Sequence, residues 1–178
     1  MPALYALAQH DAIESINAQL LPGEVVMAYL DDIYAVCSPD RAVDIFAIVR
    51  RELADRAGVS LNLAKCCVWN RAGARPAGIE GLSGVKWCGD AQLPEAERGL
   101  KVLGSPLGTE AYVQEFAAAR LRDGRAFLEK LRLIPDLQAS WILLLLCAAP
   151  RANHLLRTLP PSLPLNTPCD TTRRCGTH

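Results

Sequence analysis

Apolar residues recur at two different spacings along this chain, and each change of spacing marks a new element. Leu4, Ala8, Ala12, Ile16 and Leu20 fall four apart, with Leu7 and Ile13 beside them. That is one face of an amphipathic helix. Pro2 suits its first turn, where a missing N–H is no loss, and Leu21-Pro22-Gly23 ends it. Two β-prone runs follow, Val25 to Leu30 and Ile33 to Cys37, and they flank a pair of carboxylates. This pattern predicts a β-hairpin with Asp31-Asp32 at its tip. Ser38-Pro39-Asp40 then starts a second helix, with Ser as cap, Pro in the first position and Asp near the positive end of the dipole. Through residues 41–57, Val43, Ile45, Phe46, Val49 and Leu53 supply an apolar face. Arg50, Arg51, Glu52, Asp55 and Arg56 supply a solvated one, and Gly58 closes the helix at C′.

Val59, Leu61 and Leu63 alternate with smaller or polar residues, which predicts a strand running up to Lys65. Residues 70–99 are rich in Gly, Ala and Pro and read as an irregular surface connection, with a short strand at Val85-Lys86-Trp87. From Gly99 to Gly108 a second hairpin is expected, turning at Gly104-Ser105-Pro106. Thr109 caps a long helix with Val113, Phe116, Ala117, Leu121, Phe127, Leu128 and Leu131 on roughly one face. Its arginines and lysines are nearly balanced by acids, the pattern of a solvated, salt-bridged face. Pro135-Asp136 makes a turn and cap. The helix from Leu137 to Ala149 is so apolar that it is expected to be largely buried. Pro150 opens a further helix, ended by Pro160-Pro161, and the Pro- and Thr-rich tail 162–178 is expected to be disordered.

Composition narrows the class. With 178 residues, 51% of them hydrophobic, the chain is one modest domain or a piece of a larger one, with enough apolar surface for a core. Its formal net charge is zero, which argues against a free-standing, strongly basic nucleic-acid binder. A polymerase remains compatible, because it can concentrate positive charge on one face and acid at its metal site. The seven cysteines show no Cys-x-x-Cys or framework spacing and the histidines are scattered. That predicts free thiols in a reducing, intracellular compartment rather than a zinc site or disulfide scaffold. The N-terminus lacks the pattern of a secretory signal. The apolar run Trp141 to Ala149 is shorter than the roughly 20 residues a bilayer needs, so no membrane partner is expected.

The chemistry concentrates at Asp31-Asp32. Asp is depleted in strands and costly to desolvate unless paired, hydrogen-bonded or metal-bound. Two acids on a rigid hairpin tip suit Mg²⁺, which wants oxygen ligands in octahedral geometry. Two such ions roughly 3.5–4 Å apart stabilise both oxygens of an in-line phosphoryl displacement. The same dipeptide also fits a solvated acidic turn, and Lys65 fits an ordinary solvent-facing lysine.

Several stretches together resemble the reverse transcriptases of non-LTR retrotransposons. Met1 to Leu20 is similar to the helix after the family's Gln-Gly-Asp-Pro box, and Tyr29-Leu30-Asp31-Asp32 to its Tyr-x-Asp-Asp catalytic hairpin. Leu61-Asn62-Leu63-Ala64-Lys65 is similar to the strand-and-lysine motif. Val102-Leu103-Gly104-Ser105-Pro106-Leu107-Gly108 is similar to the primer-grip hairpin, and the helices through Pro150-Arg151-Ala152-Asn153-His154-Leu155-Leu156-Arg157 to the thumb.

The resemblance implies an α+β fold, a truncated polymerase palm followed by a helical thumb. The palm, over 1–108, would comprise a β-hairpin, helices and a small antiparallel sheet, with the irregular connection at about 70–99. The thumb-like region would cover 109–161, with the tail at 162–178. It implies an RNA-directed DNA polymerase with Asp31 and Asp32 as catalytic metal ligands for a two-ion Mg²⁺ site, and Lys65 beside the leaving pyrophosphate. Tyr29 would lie near the primer terminus or nucleotide, and Leu103, Gly104, Pro106 and Gly108 would hold the primer. Partners would be an RNA template, a DNA primer and deoxynucleotides, in the nucleus if the chain acts within a retroelement. The family's further catalytic aspartate lies on an upstream strand, so this chain is expected to be a fragment, inactive alone. The alternative is a non-catalytic nucleic-acid- or protein-binding remnant, and the oligomeric state is left open.

Overall fold

In the computed structural model, which describes residues 2–159, the first helix forms as α1 (Pro2–Asn17). Gln9, Ala12 and Ile16 are its buried positions. Leu4 and Leu7 lie exposed, so the apolar periodicity meets a core only over the later turns. β1 (Val25–Tyr29) and β2 (Asp32–Val36) pair antiparallel, with Tyr29 opposite Asp32. The two turn residues are therefore Leu30 and Asp31, not Asp31 and Asp32. Side-chain alternation is blind to this correction. Moving the turn by one residue shortens one strand and lengthens the other, but leaves every residue on its original face. Leu30 takes a positive φ of 57°, the pattern of a type II′ turn.

A 3₁₀ turn, Pro39–Arg41, leads into α2 (Ala42–Ala57), which ends on Gly58 in the left-handed region at φ 63°. The core joins Ala12 and Ile16 of α1, Val26 of β1, and Ile45, Val49 and Leu53 of α2. Ile33 of β2 and Leu61 pack against it. The sheet β1–β2 thus has one face on the helices. Its other face leaves Val25, Met27, Tyr29 and Val36 exposed.

Glu52 departs from its expected solvated face. It is only 7% exposed, and Arg56 Nε (2.7 Å), Arg51 Nη2 (2.8 Å), Gln19 Nε2 (3.0 Å) and Ser15 Oγ (2.8 Å) all donate to its carboxylate. These donors, Arg56 first, hold its carboxyl well below the usual carboxylate range. A polar knot therefore ties α1 to α2 beside the core.

The strand expected over Val59 to Leu63 does not form. Val59, Leu61 and Leu63 are half-buried and Ser60 and Asn62 exposed, so the alternation reflects packing without a neighbouring strand. Leu63–Lys65 is a single 3₁₀ turn. Pairing starts only at β3 (Cys67–Val68), which runs parallel to β4 (Lys86–Trp87). The segment 70–99 is more than surface: Ile79, Trp87 and Cys88 are buried.

The chain divides into two compact units after Asp90. The second hairpin accordingly belongs with the long helix. β5 (Gly99–Val102) and β6 (Ser105–Gly108) pair antiparallel, with Pro106 inside β6 opposite Lys101. The turn is Leu103-Gly104, at φ 48° and 85°. Two successive positive φ values make a type I′ hairpin, in place of the expected Gly-Ser-Pro turn. At the hairpin base Gly99 faces Gly108, and the Tyr112 ring lies so close to both that a Cβ on either would collide with it.

α3 (Glu110–Leu131) begins as expected: Thr109 Oγ1 accepts from the Tyr112 N–H at 3.2 Å. Asp136 caps α4 (Leu137–Leu143) by accepting from the N–H groups of Gln138 and Ala139. A π-helical turn, Leu144–Ala148, carries the helix unbroken into α5 (Ala149–Thr158), with the Ala149 N–H bonded to Leu144 O. Pro150 has no N–H and its ring needs room against the preceding turn. A widened π turn directly before it accommodates both.

Burial of this helix is the clearest miss. Leu143, Leu144, Cys147 and Ala148 are half-buried, but Leu137 is 83% exposed and Trp141, Ile142, Leu145 and Leu146 are exposed with it. The whole stretch Leu137–Thr158 is long and apolar enough to cross a membrane by length and composition alone. The run Trp141 to Ala149 is thus one part of a longer apolar helix. The molecule is thus mixed α+β with small two-stranded sheets, and the tail 162–178 lies outside the described residues.

Candidate functional site

The acidic hairpin puts its two carboxylates in different settings. Asp31 occupies the turn and Asp32 opens β2; both are exposed. Tyr29, Met27 and Val25 share a face with Asp32, Tyr34 and Val36, because those are the cross-strand pairs. On that face the Tyr34 hydroxyl donates to Asp32 Oδ2 at 3.1 Å. Strand periodicity of two, counted from Asp32, is the sequence signal that would have singled out Tyr34. Tyr29 is 59% exposed at the same end. The hairpin's base is anchored by Glu24, which accepts from the Leu21 N–H (2.8 Å) and Arg41 Nε (3.0 Å). These two donors lower its carboxyl pKa. Arg41 also bonds Asp44 at 2.7 Å, so hairpin and α2 share one ion-pair chain.

Lys65 closes the 3₁₀ turn Leu63–Lys65 and is exposed. Among the described residues its amine forms no ion pair with Asp31 or Asp32. Leu103, Gly104, Pro106 and Gly108 lie together on the β5–β6 hairpin of the second unit. There a Cβ built on Gly104 would stand 3.1 Å from His154 Nε2, so α5 reaches the hairpin tip. Arg151 of α5 stacks on the Phe127 ring of α3 at 5.0 Å. Nothing in the sequence spacing pointed to His154 at that tip, since the approach joins elements about fifty residues apart.

By donor chemistry, the adjacent exposed carboxylates of Asp31 and Asp32 suit one hard cation that keeps most of its waters. A two-ion site needs further acidic ligands. Among the described residues no group of three or more His, Cys, Asp or Glu side chains gathers in a metal-binding arrangement. Basic side chains on α3 are largely engaged: Arg122 with Glu115 at 2.8 Å, and Arg120 with the Phe116 ring and Asp123. No protein-family model, curated protein or solved structure matches this chain.

Proposed function

We propose that this chain carries part of the nucleotidyl-transfer centre of an RNA-directed DNA polymerase of the non-LTR retroelement type, and that it is inactive by itself. The observation that carries the reading is the hairpin Tyr29-Leu30-Asp31-Asp32. Two exposed carboxylates and an exposed tyrosine meet at one end of a two-stranded sheet whose other face is fastened to a helical core. Such a sheet holds acids rigidly in solvent, which is what positioning a phosphate-bound cation requires. The order of motifs along the chain adds to it.

In this reading Asp31 and Asp32 hold Mg²⁺, which supplies charge to a nucleotide's phosphates, and Tyr34 orients Asp32. The residues described here make up less than a two-ion site, so template-directed synthesis is not expected of them. The metal is tested with Mn²⁺ in place of Mg²⁺: NMR resonances of Tyr29 to Tyr34 should broaden selectively. Asp31→Asn combined with Asp32→Asn should remove the effect. Uniform broadening, or none, overturns the reading. Primer extension on an RNA template with Mg²⁺ tests the inactivity; incorporation that disappears in Asp31→Ala overturns it.

The exposed apolar faces of β1–β2 and of Leu137–Leu146 favour a second reading, a non-catalytic protein-binding remnant of such an element. That reading expects no selective Mn²⁺ effect at the hairpin.

A further inference from the structure

The β3–β4 pair joins two segments nearly twenty residues apart, and each brings a cysteine to it. Cys67 lies opposite Lys86 in the parallel register. Cys88 follows Trp87 directly, its N–H bonded to Val68 O at 2.8 Å. Residues two apart on a strand share a face, so Cys88 stands on the same side as Lys86 and diagonally beside Cys67. Burial first, and then the adjoining Cys67 thiol, push the Cys88 thiol up, and each sulfur also donates to a nearby carbonyl of its own segment, Cys67 Sγ to Lys65 O at 3.6 Å and Cys88 Sγ to Lys86 O at 3.9 Å. Cys67 is exposed and Cys88 buried. Cys66 points elsewhere along the chain, its Sγ donating to Asn62 O at 3.4 Å.

We propose that Cys67 and Cys88 form a redox-reactive pair that closes to a disulfide when the protein meets a low-molecular-weight disulfide. Exposure decides the order of events. The Cys67 thiolate attacks one sulfur of the small disulfide, forming a mixed disulfide and releasing one small thiolate. The Cys88 thiol loses its proton to solvent, and its sulfur attacks Cys67 Sγ. The Cys67–small-thiol bond breaks and the second small thiolate leaves. Two protein thiols are oxidised and one small disulfide is reduced to two thiols, so atoms and electrons balance. The product ties the irregular segment between β3 and β4 to both of its ends. Closing that loop removes conformational entropy from the unfolded chain, so the bond favours the folded unit.

The test uses the full chain and oxidised glutathione. After incubation the protein should lose two thiols and two hydrogens of mass. A non-reduced tryptic digest should contain Cys66–Arg71 joined to Trp87–Arg98. Cys66→Ser should still form the link, and Cys67→Ser should not. The urea midpoint of the wild type should rise on oxidation and fall back on reduction. A link that persists in Cys67→Ser, glutathione left on Cys67 with Cys88 still reduced, or a midpoint indifferent to oxidation each overturn the proposal. Fragmentation of the wild-type linked peptide assigns the sulfur directly, so the result stands even where Cys67→Ser folds poorly.

Discussion

Tyr29 stands directly opposite Asp32 in the β1–β2 register, so the hairpin turns on Leu30 and Asp31. The two neighbouring acids therefore differ in position and in partners. Asp31 rides on the turn. Asp32 is fixed by strand pairing and by the Tyr34 hydroxyl. In the metal reading, Tyr34→Phe should weaken Mn²⁺ binding at the hairpin by a fewfold, the effect of losing one hydrogen bond of about 1 kcal/mol. Titration of the paramagnetic broadening measures it.

Gly99 and Gly108 are a matched pair beneath the Tyr112 ring, and they should respond differently to relief. Gly99→Ala should cost about 1–3 kcal/mol by overpacking, and Tyr112→Ala in the same chain should recover part of that, because the ring is the obstacle. Gly108→Ala should not be rescued. Its added Cβ also meets Arg98 O at 2.6 Å and Gly99 Cα at 2.7 Å, and backbone cannot step aside. Urea unfolding of the three single and two double variants closes the comparison.

Leu103 holds a left-handed backbone, φ 48°, in a type I′ turn. Such turns favour Asn-Gly, and a bulky L-residue there costs about 1 kcal/mol. Leu103→Asn should raise the stability of the second unit by about that amount. Thermal or urea melting gives the sign directly.

Gln9 is buried, and neither its Oε1 nor its Nε2 has a hydrogen-bond partner among the described residues. Replacing it with an apolar side chain of similar length removes an unsatisfied polar group, so Gln9→Met should stabilise by about 1–2 kcal/mol. Calorimetry that finds a loss would mean the amide has a partner in solution.

Glu52 sets the acid limit. Its carboxyl titrates below its unfolded value of 4.5 because Arg56, Arg51, Gln19 and Ser15 donate to the charged form. A depressed pKa contributes stability that is fully present above the unfolded value and is lost as pH falls through the folded one. The wild type should thus weaken progressively below about pH 4.5. Glu52→Gln should be less stable at neutral pH and flatter across that window, measured as urea midpoint against pH.

Local rules carried much of the chain. Thr109, Asp136 and Gly58 cap helices where their side chains or backbone freedom allow it. The alternation around Asp31-Asp32 placed a hairpin there. Residues 86 and 87 formed the short strand expected in the irregular segment. These features depend on neighbours a few residues away, so the sequence displays them.

What the sequence by itself determined, then, is that helices start after Thr109 and Asp136 and that one stops at Gly58, that two hairpins exist, and that an acidic pair sits at the end of one. Only the tertiary structure decided the rest. It put Asp32 in a strand rather than a turn, because both registers keep the same faces inward. It drew Glu52 out of solvent, because donors from α1 converge with those of α2 on that carboxylate. It brought His154 to Gly104 and Cys88 to Cys67. It also left Leu137, Trp141 and Leu146 in the open, because an apolar helix is buried only where another surface meets it. Contacts between distant segments depend on how elements pack in space, and no periodicity along the chain encodes that packing.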